Sequence, residues 1–471
     1  MAFLLCIAIA CQRSRIAHLP VIAIYCPAPM NTLDALHSEA LQGARQVKLA
    51  CGLTEFPRAL FDLADSLEVL DLSDNALSSL PDDFSRLHKL RILFCSNNQF
   101  THVPEVLGQC AHLSMVGFKA NQIQTVSEHA LGTRLRWLIL TDNQLDALPA
   151  SIGECIQLQK LMLSGNRLKT LPRELSRCTR LELLRIAANH LDELPAWLMS
   201  MPRLSWLAYA GNPFCAPMEA AALATAPAPA IPWDQFNILN TLGQGASGVI
   251  FQAEQQCGEQ TQPVAVKVFK GEVTSDGLPR SEMAACVRAG SHRGLIPVLG
   301  TVTNHPAGAH GLVMPLVDPR FLSLGHPPSF DSCTRDVYEP GARFTWATVA
   351  RLAQTVASAM AHLHRRGIMH GDLYAHNILH DGHGGALLGD FGAASFYQPG
   401  GKSGPAALQA LEVRAFGCLL EEWIERCTPP SEAMGDWAAL DELKSRCLSP
   451  APGSRPLFNE IENTVRAMAA P

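Results

Sequence analysis

The C-terminal half contains polar residues whose types and spacing suit phosphoryl transfer. The run HGDLYAHNIL, His370 to Leu379, places Asp372 five residues before Asn377, and LLGDFG follows with Asp390. A carboxylate at Asp372 can accept or orient the proton of an attacking hydroxyl. The amide oxygen of Asn377 and the carboxylate of Asp390 are hard oxygen donors of the kind Mg²⁺ takes. Phosphoryl transfer needs mainly positioning and charge neutralisation, so this set lacks only a cation to hold the phosphates. Lys267, in PVAVKVF, is the candidate. Glu282, in RSEMAACVRAG, is its candidate partner, being the only acidic residue between Asp276 and Asp318.

These residues need elements to position them. NTLGQGASGVIF, Asn240 to Phe251, carries Gly243, Gly245 and Gly248 followed by Val249. A G-x-G-x-x-G run alone is weak, because a dinucleotide-binding turn shares it. Here a strand-like VIFQAE follows, where a dinucleotide fold would open a helix. Two strands capping phosphates and then a Lys-bearing strand form the pattern of a kinase N-lobe. Residues Val349 to His370, VARLAQTVASAMAHLHRRGIMH, read as an amphipathic helix running into the Asp372 loop. The motifs in this order resemble the protein kinase superfamily over about 233–468, including the late CLSPAPGSRPLFNEI with its Arg455. The resemblance implies that Gly243, Gly245, Gly248, Val249, Lys267 and Glu282 bind ATP. It implies that Met314 faces the adenine pocket, and that the Leu316–Val317 backbone bonds the base. It makes Asp372, Lys267, Asn377 and Asp390 catalytic, with Mg²⁺ on Asn377 and Asp390.

The sequence also departs from that family. Gly371 stands where Arg is usual, which bears on regulation by a phosphorylated activation loop. Tyr374 stands where a Lys usually neutralises the transferring phosphoryl group; Arg366 is the nearby cation. Only 19 residues, AASFYQPGGKSGPAALQAL, separate Gly392 from Glu412, and none is acidic. Glu412 is expected at the start of the next helix. It matches either the Asp that anchors the catalytic loop, leaving Arg455 without its usual Glu, or that Glu itself. Ser395, Tyr397 and Ser403 are candidate phosphorylation sites. Residues 318–343 form a Pro/Gly-rich insertion with no assigned role.

The N-terminal half repeats. LEVLDLSDNALSSLPDDFSRLHK, from Leu67, returns with Asn75, Asn98, Asn121, Asn143, Asn166, Asn189 and Asn212 at intervals of 23 residues, once 22. Self-similarity at that period marks a solenoid. Each Asn amide is expected to bond backbone groups of neighbouring turns, since one repeat cannot bury its own apolar face. The pattern resembles the leucine-rich repeat family over about 67–215, with a degenerate first repeat at 44–66. Its variable strand positions, among them Glu68, Val69, Asp71, Arg91, Phe94, Lys119, Arg136, Trp137, Lys160, Arg185, Trp206 and Tyr209, would face a protein ligand.

The expected organisation is 1–43, an N-terminal segment of which 1–29 reads as an upstream extension before Met30; 44–215, the solenoid; 216–232, an Ala/Pro linker; and 233–471, the kinase domain. The fold class is α/β plus α+β, a leucine-rich-repeat solenoid followed by a bilobal protein-kinase fold. A net charge of −6 over 471 residues gives no sign of nucleic-acid binding. The 15 cysteines, an odd number without C-x-x-C spacing, argue against a disulfide framework and against a zinc site and fit a reducing cytoplasm. No stretch is long and apolar enough to span a bilayer. The resemblance, in the order found in cytoplasmic bacterial proteins, implies an ATP- and Mg²⁺-dependent kinase acting on Ser or Thr, including its own. A pseudokinase scaffold is the alternative, and a small-molecule phosphotransferase a third reading.

Overall fold

The computed structural model describes residues 22–25, 42–225, 228–245, 247–270, 273–274, 276–397 and 404–468. The rest of segment 1–29 and the candidate site Ser403 lie outside them. The chain forms two compact units that divide at Pro202.

In the N-terminal unit each repeat supplies a short strand. The strands add in chain order to a parallel sheet: Ile22–Tyr25, Gln46–Ala50, Val69–Asp71, Ile92–Phe94, Met115–Gly117, Trp137–Ile139, Lys160–Met162 and Leu183–Arg185. Register aligns Leu70, Leu93, Val116, Leu138, Leu161 and Leu184, so one apolar position per repeat stacks into a continuous buried column. The chain returns through single 3₁₀ turns, four of them entered through Pro104, Pro149, Pro172 and Pro195, the first three in extended conformation.

The Asn ladder forms as the period predicts. The amide of Asn166 donates to Leu140 O (2.8 Å) and Leu163 O (2.9 Å), and its Oδ1 accepts from Leu145 N (2.9 Å). Asn98, Asn121, Asn143 and Asn189 repeat that arrangement. Each side chain thus satisfies backbone groups of two successive turns that burial would otherwise strand.

The C-terminal unit opens with residues of the last repeat, including the strand Trp206–Ala208. Within 216–232, read from the sequence as an Ala/Pro linker, Ala216–Thr225 is an α-helix. Alanine, the best helix former, dominates that stretch, and the first following Pro comes only after Thr225. This helix packs against the helix Pro279–Ala289. A six-stranded sheet follows, ordered Ala230–Pro232, Gly300–Thr303, Gly311–Pro315, Gln260–Phe269, Gly248–Cys257, Phe236–Gln244. Its core is Ile231, Phe236, Ala253, Val264, Val266, Val302 and Val313. The remainder is mainly helical: Trp346–Arg365, Pro405–Glu425, Met434–Cys447 and Phe458–Ala467. Helix Trp346–Arg365 starts at Thr345, whose hydroxyl accepts from Thr348 N, and ends with basic residues that complement its dipole. It leads directly to the Asp372 loop.

The described cysteines are free, and most are buried. Burial pushes Cys155 up to about 12 and Cys178 up to about 11, so both stay protonated. No helix among the described residues is long and apolar enough to cross a membrane.

Candidate active site

The glycine-rich run is the tip of an antiparallel hairpin between Phe236–Gln244 and Gly248–Cys257, not a strand-to-helix turn. Gly245 N donates to Gly248 O (2.9 Å) across the tip. A side chain at Gly248 would meet Val268 O at 2.4 Å, so only Gly lets this strand lie against Gln260–Phe269. Val249 pairs with Val268, one residue from Lys267. Met314 pairs with Ala265 on the other side, and Leu316 and Val317 follow half-buried.

Lys267 is central in the sheet, and its Nζ donates to Glu282 Oε1 from the facing helix. Both side chains are buried. Burial alone would lower the Lys267 pKa, but the charges of Glu282 and Asp390 outweigh it and hold it above the ordinary value. The ammonium is therefore held by Glu282 and further stabilised by the charge of Asp390.

The loop after helix Trp346–Arg365 is built on His370. Its Nε2–H donates to Gly389 O (3.0 Å) and its Nδ1 accepts from Asp372 N (3.3 Å), while Phe391 packs against the ring. Asn377 donates from Nδ2 to Asp372 Oδ2 (2.7 Å) and to Asp372 O (3.0 Å), which locks the two side chains together. Gly389 N donates to Asn377 O (3.0 Å), bringing the Asp390 segment alongside. Asp390 has φ +53°, a left-handed conformation uncommon for a non-glycine residue. Burial would raise its pKa, but Lys267, the Gly392 N–H, His370 and His376 outweigh that and hold the carboxyl ionised. Among the described residues no cluster of three His, Cys, Asp or Glu could cage a metal by itself. An ionised carboxylate plus an amide oxygen fits Mg²⁺ that completes its shell with water and phosphate oxygens.

The two readings of Glu412 are resolved. Its Oε1 accepts from Gly371 N (2.5 Å) and its Oε2 from His364 Nε2 (2.7 Å), so it anchors the Asp372 loop. It lies well inside helix Pro405–Glu425 rather than at its start, because that helix begins directly after Gly404. Arg455 bonds carbonyls only, at Ser449 (2.9 Å), Ala410 (2.9 Å) and Pro202 (2.7 Å). Burial and the charge of Arg414 bring its pKa down to about 10.

Other positions depart from expectation. The Arg366 guanidinium bonds His362 Nδ1 (3.3 Å). Trp206 and Tyr209 do not face an external ligand. Both are buried against this unit's own loops, Trp206 by stacking on Tyr374. Ser395 and Tyr397 are not open loop hydroxyls. Ser395 is fully buried, and Tyr397 donates to His364 O (2.7 Å) while accepting from Gln409 (2.8 Å).

The insertion 318–343 supplies residues that the sequence did not mark. Asp336 accepts from His376 Nδ1 (2.8 Å) and His376 N (3.0 Å), bracing the loop from a third side. Burial would lower the His376 pKa, but Asp336 outweighs it and raises it. Arg335 binds Glu421 and Glu422 (2.8 Å each), which ties the insertion to helix Pro405–Glu425. No spacing rule predicts these pairs; the only cue was the density of charge in Arg335-Asp336-Val337-Tyr338.

On the N-terminal unit, a cleft of about 470 Å³ is lined by Lys89, Arg91, His112, Arg134 and Arg136, with Glu68 the only acid. Glu68 is already engaged by Arg45 and by Arg91 at 3.6 Å.

Comparison with known proteins agrees with both units. Residues 236–415 match the protein kinase domain, and 50–100 and 133–191 match leucine-rich repeats. A probable serine/threonine-protein kinase of Arabidopsis thaliana is 25% identical over 167 residues, 35% of this chain and 21% of that protein. The DNA damage-responsive serine/threonine-protein kinase RqkA of Deinococcus radiodurans is 30% identical over 164 residues, 34% of this chain and 22% of that protein. The leucine-rich repeat and calponin homology domain-containing protein 1 of Mus musculus is 31% identical over 137 residues, 28% of this chain and 19% of that protein. The chain thus spans about a fifth of the length of these relatives. With the repeat sheet, its Asn ladder and the two-lobed C-terminal unit, these matches identify the chain as a leucine-rich-repeat protein joined to a protein kinase domain.

Proposed function

We propose that this protein transfers the γ-phosphoryl group of ATP to a Ser or Thr hydroxyl of a protein, its own chain included. The observation that carries the reading is the buried Lys267–Glu282 contact with the ionised Asp390 acting on Lys267, and Asp372 and Asn377 locked together on the adjoining loop. Lys267 holds the nucleotide phosphates, and the hairpin with Gly243, Gly245, Gly248 and Val249 covers them. Met314 and Val317 border the base. Asp372 receives the hydroxyl proton. Asn377 and Asp390 would hold Mg²⁺, which supplies charge neutralisation on the phosphate oxygens when bound. The free, mostly buried thiols among the described residues support the cytoplasm as its place of work. The functional division is 44–215, 216–232 and 233–471, while the C-terminal compact unit includes the chain from Pro202 onward.

The test is nucleotide binding by thermal shift. ATP with Mg²⁺ should raise the melting temperature of the wild type and not of Asp390→Ala. Equal shifts in both would refute the metal assignment. A scaffold without catalysis is the second reading, favoured by Tyr374 in place of Lys and by the short segment after Asp390; it predicts weak or no ATP binding and no transfer.

The repeats recruit the protein partner. The cationic cleft supports a partner with an acidic segment. Lys89→Glu with Arg134→Glu should then weaken partner phosphorylation and leave autophosphorylation intact. Unchanged partner phosphorylation would refute that placement.

A further inference from the structure

The loop's two departures from the kinase pattern, Gly371 and Tyr374, both meet one short stretch, residues 205–210. Trp206 stacks on Tyr374 with ring centroids 4.3 Å apart and planes at 7°, and its Nε1–H donates to Leu373 O (3.0 Å). Gly371 has φ +75°, and a side chain there would meet Ala393 O at 2.4 Å and Leu207 O at 2.9 Å. An Arg at position 371 would therefore displace the strand Trp206–Ala208. A Lys at position 374 would leave the Trp206 ring without its aromatic face.

The same stretch grips the segment after Asp390. Ser395 Oγ accepts from Tyr209 N (3.0 Å) and Ala210 N (3.1 Å), and Tyr209 donates from its hydroxyl to Phe396 O (3.1 Å). Ser395–Phe396 pairs in turn with Ile368–Met369, just before the loop. Ser205 Oγ accepts from Arg414 (2.9 Å), and Pro202 O accepts from Arg455. Trp206 and Tyr209 are each 1% exposed, so these are interior contacts.

In kinases that carry the usual Arg, that residue pairs with a phosphate on the activation segment and so orders it. Here the described hydroxyls of the segment, Ser395 and Tyr397, are already buried and bonded. We propose that residues 205–210 are a built-in replacement for that phosphate: Trp206 and Tyr209 are positioning residues that hold the catalytic loop and the segment after Asp390 in working order without phosphorylation.

This rests on the phosphoryl-transfer reading, and the experiment separates the two. Full-length wild type, dephosphorylated until its intact mass shows no phosphate, is compared with Trp206→Ala, Trp206→Phe and Tyr374→Lys. The readouts are kcat, KM for ATP, and hydrogen exchange in peptides spanning 370–378 and 393–397, with 248–269 as internal control. Phosphate-free wild type should turn over without a lag. Trp206→Ala should lose about 10- to 100-fold in kcat with KM for ATP within about twofold, since misplacing the loop harms the transfer step rather than nucleotide binding. Exchange should quicken in 370–378 and 393–397 and not in 248–269. Trp206→Phe, which keeps a stacking ring, should lie near wild type. Tyr374→Lys should lose activity despite restoring the usual cation. Unchanged kcat and exchange in Trp206→Ala, a gain in Tyr374→Lys, or a wild type active only after phosphorylation would each overturn the inference. If Trp206→Ala unfolds the whole unit, Tyr374→Lys decides by the same readouts. No transfer by wild type in any phosphorylation state refutes the kinase reading instead, and exchange alone then decides whether residues 205–210 hold the loop.

Discussion

Glu412→Ala should destabilise the kinase unit more than most single substitutions would. The carboxylate is 1% exposed and accepts from Gly371 N and His364 Nε2. Its removal strands a buried amide N–H and a buried imidazole N–H. Leaving two buried donors unsatisfied, at about 1.5–2.5 kcal/mol each, costs about 3–5 kcal/mol. At roughly 2–4 °C per kcal/mol for a unit of this size, the transition should fall by about 6–20 °C. Glu412→Gln keeps an acceptor for Gly371 N–H but loses the charge, and should cost about 1–3 kcal/mol. The pH dependence carries a sign. Burial would raise the Glu412 pKa, but His364, His370 and the Gly371 N–H outweigh it, so it lies below the ordinary 4.5. A depressed carboxyl stabilises above its unfolded value, and that stability is lost as pH falls through the folded value. The gap between wild type and Glu412→Gln should therefore be widest at neutral pH and shrink below pH 4.5. Scanning calorimetry from pH 7.5 downward reads both effects. A Glu412→Ala transition within about 2 °C of wild type, or a gap indifferent to pH, would refute the anchoring role.

Three further outcomes follow from the structure. Lys267→Met should abolish phosphoryl transfer and leave the repeat unit's melting unchanged; retained transfer would remove Lys267 from the site. Asn166→Ala should cost the repeat unit about 1–3 kcal/mol, because it strands Leu145 N, while Leu140 O and Leu163 O keep their bonds from Asn143 and Asn189; an unchanged urea midpoint would contradict the ladder. His292 is brought down to about 4 by burial, His362 and Arg293, so it folds neutral and stability should fall as pH drops from 6.5 toward 4; His292→Gln should flatten that slope, and an identical slope would refute it.

The parts of this molecule that the sequence made legible are those encoded locally. The Asn ladder follows from a 23-residue period, and each rung bonds turns one period apart. The glycine hairpin, the Lys267 strand and the Asp372–Asn377 spacing are likewise short-range patterns. What stayed hidden depends on pairing across long separations. Trp206 bonds Leu373, 167 residues away, and as one variable strand position among many it looked like ligand surface. Asp336 braces His376 from an insertion with no repeat or motif to flag it. Glu412 had two plausible partners because spacing alone does not specify which buried donor a carboxylate meets. The Ala-rich stretch 216–225 read as linker because its prolines drew more weight than its alanines, yet Pro217 falls in the first helical turn, where it is tolerated.

The most direct test of phosphoryl transfer uses purified full-length protein with radiolabelled ATP and Mg²⁺, beside Asp372→Ala, with intact-mass mapping of the product. Label on a Ser or Thr in the wild type and none in Asp372→Ala is the predicted result. Absence of label in a wild type that still binds ATP, or equal label in both proteins, would contradict it.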